Sequence, residues 1–334
     1  MIYFVTGATG FVGSHVVRQL VDAGHEVIAV VRNPAKAQEL TRLGVTIARG
    51  DVTDKESMRE PMRGTDGVFH IAGWYKVGVK DKSDGVKVNI GGTRNVLELM
   101  KELGIQKGVY TSTLAVNSDT HGQLVDETYR FAGKHLSEYN RTKWVAHYEV
   151  ADPMIAAGLP LVIVLPGVIY GPEDTSSIRT AFLLYLQGKL PIVPARTAFS
   201  WVHVDDIARG HILAMEKGVV GESYILAGPT HTFVEALHVA ENITGVPAPR
   251  NTVSPAMMKA MAAIMGVVEK VVPVPELYRS EYLRISAGAT YLGNSAKAKR
   301  ELGYNPRPLK VGLTETLQHE LRLLKPEPES AGRK

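Results

Sequence analysis

Val5-Thr6-Gly7-Ala8-Thr9-Gly10-Phe11-Val12-Gly13 has what a dinucleotide pyrophosphate requires of a backbone. Residues 2–5 read as a buried strand, the glycines as a tight turn, and residues 11–23 as an amphipathic helix. Gly7 permits the turn, Gly10 lets a phosphate approach the main chain, and Gly13 brings helix and strand together. The free N–H groups of the helix N-terminus then face an anion, with Thr9, Phe11 and Val12 completing the loop. The spacing is G-x-x-G-x-x-G rather than the commoner G-x-G-x-x-G, so the flanking strand and helix carry the assignment.

The same alternation continues outward. Strands are expected at 25–31, 45–48, 67–71, 107–112 and 161–165, with helices at 35–43, 86–103 and 137–157. That pattern predicts an α/β fold, a Rossmann-type doubly wound parallel sheet over residues 1–170. From Pro166 the pattern loosens around a helix at 177–187. A segment at 201–230, with a strand at 224–226, is expected to return to the sheet. Residues 171–200 and 231–325 are read as a smaller, mostly helical substrate-binding region, and 326–334 as a polar disordered tail.

A chain of 334 residues that is 45% apolar is long enough to bury one large core or two unequal ones. Its formal charge of +4 comes without a long Lys/Arg cluster, so no nucleic-acid partner is expected. The absence of cysteine removes disulfides, thiol catalysis and thiolate metal sites, and fits a cytoplasmic protein. No His pair has zinc-helix spacing, so no metal is expected. The first apolar run is too short for a signal peptide. The apolar, methionine-rich stretch 256–268 is interrupted by Lys259 and Gly266, which favours a helix over a cleft rather than a membrane span.

Tyr139 and Lys143 stand four residues apart at the start of the helix after strand five, hence on one helical face. A cation beside a phenol stabilises the phenolate, making tyrosine a usable acid/base. Strand five ends at Thr111-Ser112-Thr113, at the sheet edge where such folds bind ligands, so hydroxyls there face the same cleft. Capping is the structural alternative for Thr113. No carboxylate ends strand two; Arg32 and Lys36 can instead clamp a ribose 2′-phosphate, which favours NADP over NAD.

Taken in order, TGATGFVG at 6–13, Gly50-Asp51-Val52, Val68-Phe69-His70-Ile71-Ala72, Val88-Asn89-Ile90-Gly91-Gly92-Thr93, Thr111-Ser112-Thr113, Tyr139 with Lys143, Pro166-Gly167-Val168-Ile169-Tyr170-Gly171-Pro172 and Val202-His203-Val204-Asp205-Asp206 form a specific set. Over about residues 1–310 the chain resembles an extended short-chain dehydrogenase/reductase of the NAD-dependent epimerase/dehydratase superfamily, in its dihydroflavonol reductase-like branch. The resemblance implies that Tyr139 is the acid/base, that Lys143 holds the nicotinamide ribose and tunes the tyrosine, and that Thr113 orients the reacting oxygen. Many members have serine at this last position, and Ser112 is the fallback.

It further implies Asp51 at the adenine amino group with Val52 beside the ring, and Ala72 and Gly73 at the pyrophosphate and ribose. Pro166, Gly167 and Val168 would border the nicotinamide, and Thr111 would also contact the cofactor. Asn89 is given either a proton-relay or a structural role. A homodimer through the helices carrying Asn89 and Tyr139 is also implied.

Trp74, Tyr75 and Tyr170 are expected on the substrate side with Thr113. His70 and His203 are read as core residues, and Asp205 and Asp206 as N-capping groups. Pro194-Ala195-Arg196-Thr197-Ala198-Phe199-Ser200 lacks the Gly-Asp-Gly-like turn and arginine that serve sugar nucleotides in related enzymes. The resulting expectation is NADPH-dependent reduction of a ketone or aldehyde, or oxidation of the alcohol. The alternatives are a sugar or sugar-nucleotide epimerase/dehydratase, or a non-catalytic NADP-sensing regulator.

Overall fold

The computed structural model describes residues 1–324; the expected tail at 326–334 lies outside them. The first half runs β1 (Ile2–Thr6), α1 (Phe11–Asp22), β2 (Glu26–Val31), α2 (Gln38–Arg42), β3 (Thr46–Arg49), α3 (Lys55–Met62) and β4 (Gly67–His70). A π-helical stretch, Gly85–Gly92, then leads directly into α4 (Thr93–Leu103), followed by β5 (Gly108–Thr111). Next, α5 (Glu138–Val145) passes through a second π-helical stretch, Ala146–Ala151, into α6 (Asp152–Ala156), and β6 (Leu161–Pro166) follows.

The remainder comprises β7 (Val168–Tyr170), α7 (Ser177–Leu186), β8 (Ala198–His203), α8 (Val204–Lys217), β9 (Ser223–Leu226), β10 (Thr230–Thr232) and α9 (Phe233–Thr244). It ends with α10 (Pro255–Val268), α11 (Ser280–Ile285), β11 (Thr290–Tyr291), α12 (Ala296–Leu302) and α13 (Leu309–Leu324).

Seven strands form the expected parallel sheet in the order β3-β2-β1-β4-β5-β6-β9. The order reverses between β1 and β4, which opens a crevice at the C-terminal ends of those strands. Strands covered on both faces need apolar residues throughout, and β6 is buried at every position. Val16, Val17 and Leu20 of α1 cover one face of the sheet, and Val96, Leu97 and Met100 of α4 cover the other. Full burial of such a side chain is worth about 1.5–3 kcal/mol.

Two elements depart from the expectation. Helix α3 fills the interval between β3 and β4: Asp54 caps it by accepting from Ser57 N, and Met58 and Met62, one turn apart, are its buried face. Secondly, β8 does not join the main sheet. It is the centre of a four-stranded sheet with β7, β10 and β11, and Tyr170, Phe182, Trp201, Phe233 and Leu313 pack a separate core around it.

Candidate active site

The glycine turn has the conformation the sequence requires. Gly7 has φ +74°, and a Cβ there would lie 2.6 Å from Ala72 N. At Gly13 a Cβ would lie 2.1 Å from the Gly7 carbonyl oxygen, so only glycine lets α1 approach β1 this closely. Gly10 opens α1 without a side-chain cap, and the first turn holds no acidic residue. Thr9 and Gly10 are exposed, and Phe11 and Val12 half-buried. A twelve-residue helix therefore presents unoccupied N–H groups and the positive end of its dipole to the crevice, which suits a pyrophosphate.

Beyond β2, Arg32 and Lys36 are exposed, and neither side chain has a hydrogen-bond or ion-pair partner among the described residues. Asp51 Oδ1 accepts from Thr53 N at 2.9 Å and from the Thr53 hydroxyl at 2.8 Å, a turn that engages one carboxylate oxygen only. Val52 is buried against Gly92. Ala72 N donates to the Thr6 hydroxyl at 3.2 Å, and Gly73 lies beside Asn89 Oδ1.

At the end of β5 the three hydroxyls diverge. Thr111 Oγ1 pairs with His211 Nε2 at 2.9 Å, and Ser112 Oγ pairs with His147 Nδ1 at 2.8 Å, within the buried core. Ser112 is thus engaged away from the tyrosine. Thr113 Oγ1 accepts from Ala115 N at 3.1 Å, capping a short 3-10 turn, and also hydrogen-bonds the Tyr139 phenol. Capping and the contact with Tyr139 coexist in one hydroxyl.

Ser137 starts α5 by accepting from Asn140 N at 3.1 Å, which fixes the turn carrying Tyr139. Burial pushes the Tyr139 phenol well above its usual pKa, while the Thr113 hydrogen bond pulls the other way. The phenol is therefore protonated at neutral pH, as a proton donor must be. Lys143 points to β5 from the same helix, but its ammonium donates to Thr111 O at 2.7 Å and to Tyr110 Oη at 3.1 Å, not to Tyr139. The sequence reading paired it directly with the phenol; in the structure the Thr111 carbonyl, with its fixed lone pairs, is the nearer acceptor. Burial lowers the lysine to about 7.

Asn89 is fully engaged. Trp74 N donates to its Oδ1 at 2.7 Å, and its Nδ2 donates to Trp74 O at 3.0 Å and to Thr142 Oγ1 at 2.9 Å. It thereby clamps the loop after β4 to α5 from within the π-helical stretch. The clamp decides where the aromatic pair goes. Trp74 is 7% exposed and its indole lies over Gly85, so it belongs to the packing rather than to a substrate wall. Tyr75 is 49% exposed and meets the Tyr139 ring edge-on at 4.8 Å between centroids. Tyr170 lies elsewhere: 1% exposed, it packs against Trp201 and His203 in the second core, which removes it from the substrate wall.

Pro166, Gly167 and Val168 join the two sheets. Pro166 pairs with Leu226, Val168 with Trp201, and a Cβ at Gly167 would lie 2.2 Å from Ser200 O. His70 and His203 are buried as expected, burial holding His70 at about 3 and hence neutral. Asp205 and Asp206 are not caps; His203 caps α8, leaving Asp205 to His15 at 2.6 Å and Asp206 to Arg307. His203, Asp205 and Glu315 bring ligand-type atoms within 4.8 Å of one another, and Arg307, 3.0 Å from Glu315, already supplies the positive charge there.

Two functional positions escaped the sequence reading. Tyr110 holds the Lys143 ammonium, and His70, stacked on its ring at 5.4 Å, bonds Thr6 at 2.8 Å and Thr93 at 3.0 Å, linking the lysine to the start of the glycine turn. Glu281, buried on α11, accepts from Gly78 N at 2.8 Å, Glu138 N at 3.0 Å and Lys82 Nζ at 3.0 Å. It ties the C-terminal region to the loop bearing Tyr75 and to the start of α5. Its partners lie far off in sequence, so no local pattern marks it.

Comparison with known proteins gives the family and the fold. The model of the NAD dependent epimerase/dehydratase family matches residues 3–227. A protein of Synechocystis sp. bearing the name dihydroflavonol 4-reductase is 33% identical over 328 residues, covering 94% of this chain and 93% of that protein. A 4-hydroxy-2-methyl-3-oxo-4-farnesyl-3,4-dihydroquinoline-1-oxide ketoreductase of Stigmatella aurantiaca is 31% identical, covering 91% and 92%. The crystal structure of gox2253 superposes with a TM-score of 0.82 at 30% identity, covering 96% of this chain and 98% of that one. The chain belongs to the NAD dependent epimerase/dehydratase family, and within it is an NAD(P)-dependent oxidoreductase. No helix among the described residues is long and apolar enough to cross a membrane.

Proposed function

We propose that this protein reduces a ketone or aldehyde with NADPH, Tyr139 giving the proton to the carbonyl oxygen. The observation that carries the reading is the half-buried Thr113–Tyr139 pair beside the exposed ring of Tyr75. A nicotinamide cofactor bound along the glycine turn supplies the hydride equivalent. Thr113 orients the substrate oxygen beside the phenol, and Tyr139, held protonated by its burial, releases its proton as negative charge develops on that oxygen. In the alcohol direction the same oxygen takes the proton back. Lys143, anchored by Thr111 O and Tyr110 Oη, sits beneath the site and carries its positive charge there below about pH 7.

The choice of NADPH rests on Arg32 and Lys36, exposed and unpaired where a carboxylate would otherwise select NADH. Reductase names among the relatives support reduction over epimerisation. The same reading takes a second copy of the chain as partner, across the helices carrying Asn89 and Tyr139, and a cytoplasmic setting.

The test is a panel of aldehydes and ketones followed by cofactor absorbance with NADPH and NADH in parallel. NADPH is consumed preferentially, and Arg32→Ala raises its Kd by about 10- to 100-fold, the worth of a charge-assisted hydrogen bond at about 1.5–3 kcal/mol, with NADH little changed. Tightly retained cofactor without net consumption of either would instead favour an epimerase.

A further inference from the structure

We propose that the outward face of α10 docks the protein on a membrane surface rich in anionic lipid headgroups, the helix lying in the interface plane without crossing it. Such docking is independent of the reaction carried out at Tyr139. The helix is apolar on both sides. Its inner face, with Met258 and Ala262, packs against Leu283 and Ala287. Glu269, at its end, accepts from Ser280 N at 3.0 Å and from the Ser280 hydroxyl at 2.6 Å, which fixes α10 to the start of α11 as a rigid ridge. By helical periodicity, Ala256, Met257, Ala260, Ala263, Ile264 and Val267 fall within about 120° of arc on the opposite side, and all six are exposed. Ile264 and Val267 are 64% and 65% exposed, and Val271, in the turn that follows, is 82% exposed. A helix apolar all round is ordinarily buried, so an exposed ridge of this kind marks a surface that meets a membrane or a partner.

Charge decides between a membrane and a second copy of the chain. Lys259 and, just past the helix end, Lys270 lie along one flank of the apolar arc, about three turns apart. Both are exposed, and neither side chain has a hydrogen-bond or ion-pair partner among the described residues. The single acidic residue between positions 250 and 275 is Glu269, and Ser280 engages both of its oxygens. A twofold interface opposes like surfaces, so two copies meeting on this face would set cations against cations with no free carboxylate to offset them. Anionic headgroups complement the same ammonium groups, and the methylene stems of lysine suit the apolar boundary beneath them. The 14 residues of α10 rise about 21 Å, short of a hydrocarbon core of about 30 Å, which fits a helix lying along the interface. Lipid also accepts a narrow ridge without a matching groove.

The experiment is co-flotation of the full chain with vesicles of phosphatidylcholine alone and of phosphatidylcholine with an equal part of phosphatidylglycerol, at low and at high salt. The wild type is expected to partition into the anionic vesicles about tenfold or more above the neutral ones, with salt reducing the excess. Ile264→Glu combined with Val267→Glu places carboxylates on the exposed ridge, leaves the melting temperature within a few degrees of wild type, and lowers partitioning by more than about tenfold. Lys259→Gln with Lys270→Gln abolishes the preference for anionic vesicles, whereas Val311→Glu, at another exposed apolar position on α13, changes nothing. Wild-type protein that stays off the anionic vesicles, or binding that the double glutamate variant retains, overturns the inference. So does self-association in ultracentrifugation that the double glutamate variant abolishes while vesicles go unbound, which assigns the face to a second copy.

Discussion

Lys143→Met isolates what burial does to the ammonium beneath the site. The side chain is fully enclosed, and its pKa falls from 10.5 to about 7. A difference of about 3.5 pH units, at about 1.36 kcal/mol each, amounts to about 5 kcal/mol of pH-linked stability. An amine whose folded pKa lies below the unfolded one binds its proton in the unfolded chain across the window from about 7 to 10.5, where the native state has released it. Wild-type stability therefore gains about 1.4 kcal/mol per pH unit from this group as pH rises through that window.

Methionine carries no such term, so the stability of Lys143→Met relative to wild type is greatest at pH 7 and falls by about 2–3 kcal/mol by pH 9. The substitution also leaves Thr111 O and Tyr110 Oη without their donor, a cost that does not depend on pH over this range. Hence the informative quantity is the change in the difference, not its sign at one pH. Urea unfolding of both proteins at pH 7, 8 and 9, followed by tryptophan fluorescence, measures it. A difference constant across that range, or one that grows in favour of the variant, refutes the reasoning.

Gly13→Ala puts a methyl group 2.1 Å from the Gly7 carbonyl, main chain against main chain, so α1 must move off β1. The expected cost is about 2–3 kcal/mol in a thermal or urea melt together with weakened NADPH binding; a variant melting like wild type would show that the close approach is not required. Glu281→Ala leaves Gly78 N, Glu138 N and Lys82 without their common acceptor. A loss of about 3–5 kcal/mol in stability and a fall in kcat/KM are expected, and a change under about 1 kcal/mol would mean that the carboxylate does not tie the two regions together.

The main sheet was readable because each of its strands is a short apolar run closed by a turn residue, and because the glycine turn names its own geometry. Helix α3 was not read, since its two buried methionines are diluted by charged residues and a proline near its end. The second sheet was hidden for another reason: β8 looks like any buried strand, and only pairing with β7, β10 and β11 decides which sheet it enters. In the candidate site, the spacing of Tyr139 and Lys143 put both side chains towards β5. Spacing was silent on their partners, which are backbone and side-chain groups of Thr111, Tyr110 and Thr113 brought in by the sheet. Tyr170 was placed on the substrate wall because its motif neighbours the cofactor segment, whereas strand alternation turns its ring into the second core. Glu281 shows the limit most plainly, because a lone glutamate in a C-terminal helix gains meaning only through three partners that folding delivers.

The account's central claim is that the Tyr139 phenol donates the proton in carbonyl reduction. Single-turnover oxidation of bound NADPH by a ketone or aldehyde substrate from the panel, in wild type and Tyr139→Phe with cofactor Kd measured on the same samples, tests it most directly. The account predicts a rate lower by about 10²- to 10⁴-fold with cofactor affinity within a few-fold of wild type. Turnover by the phenylalanine variant at a rate near that of wild type would contradict it.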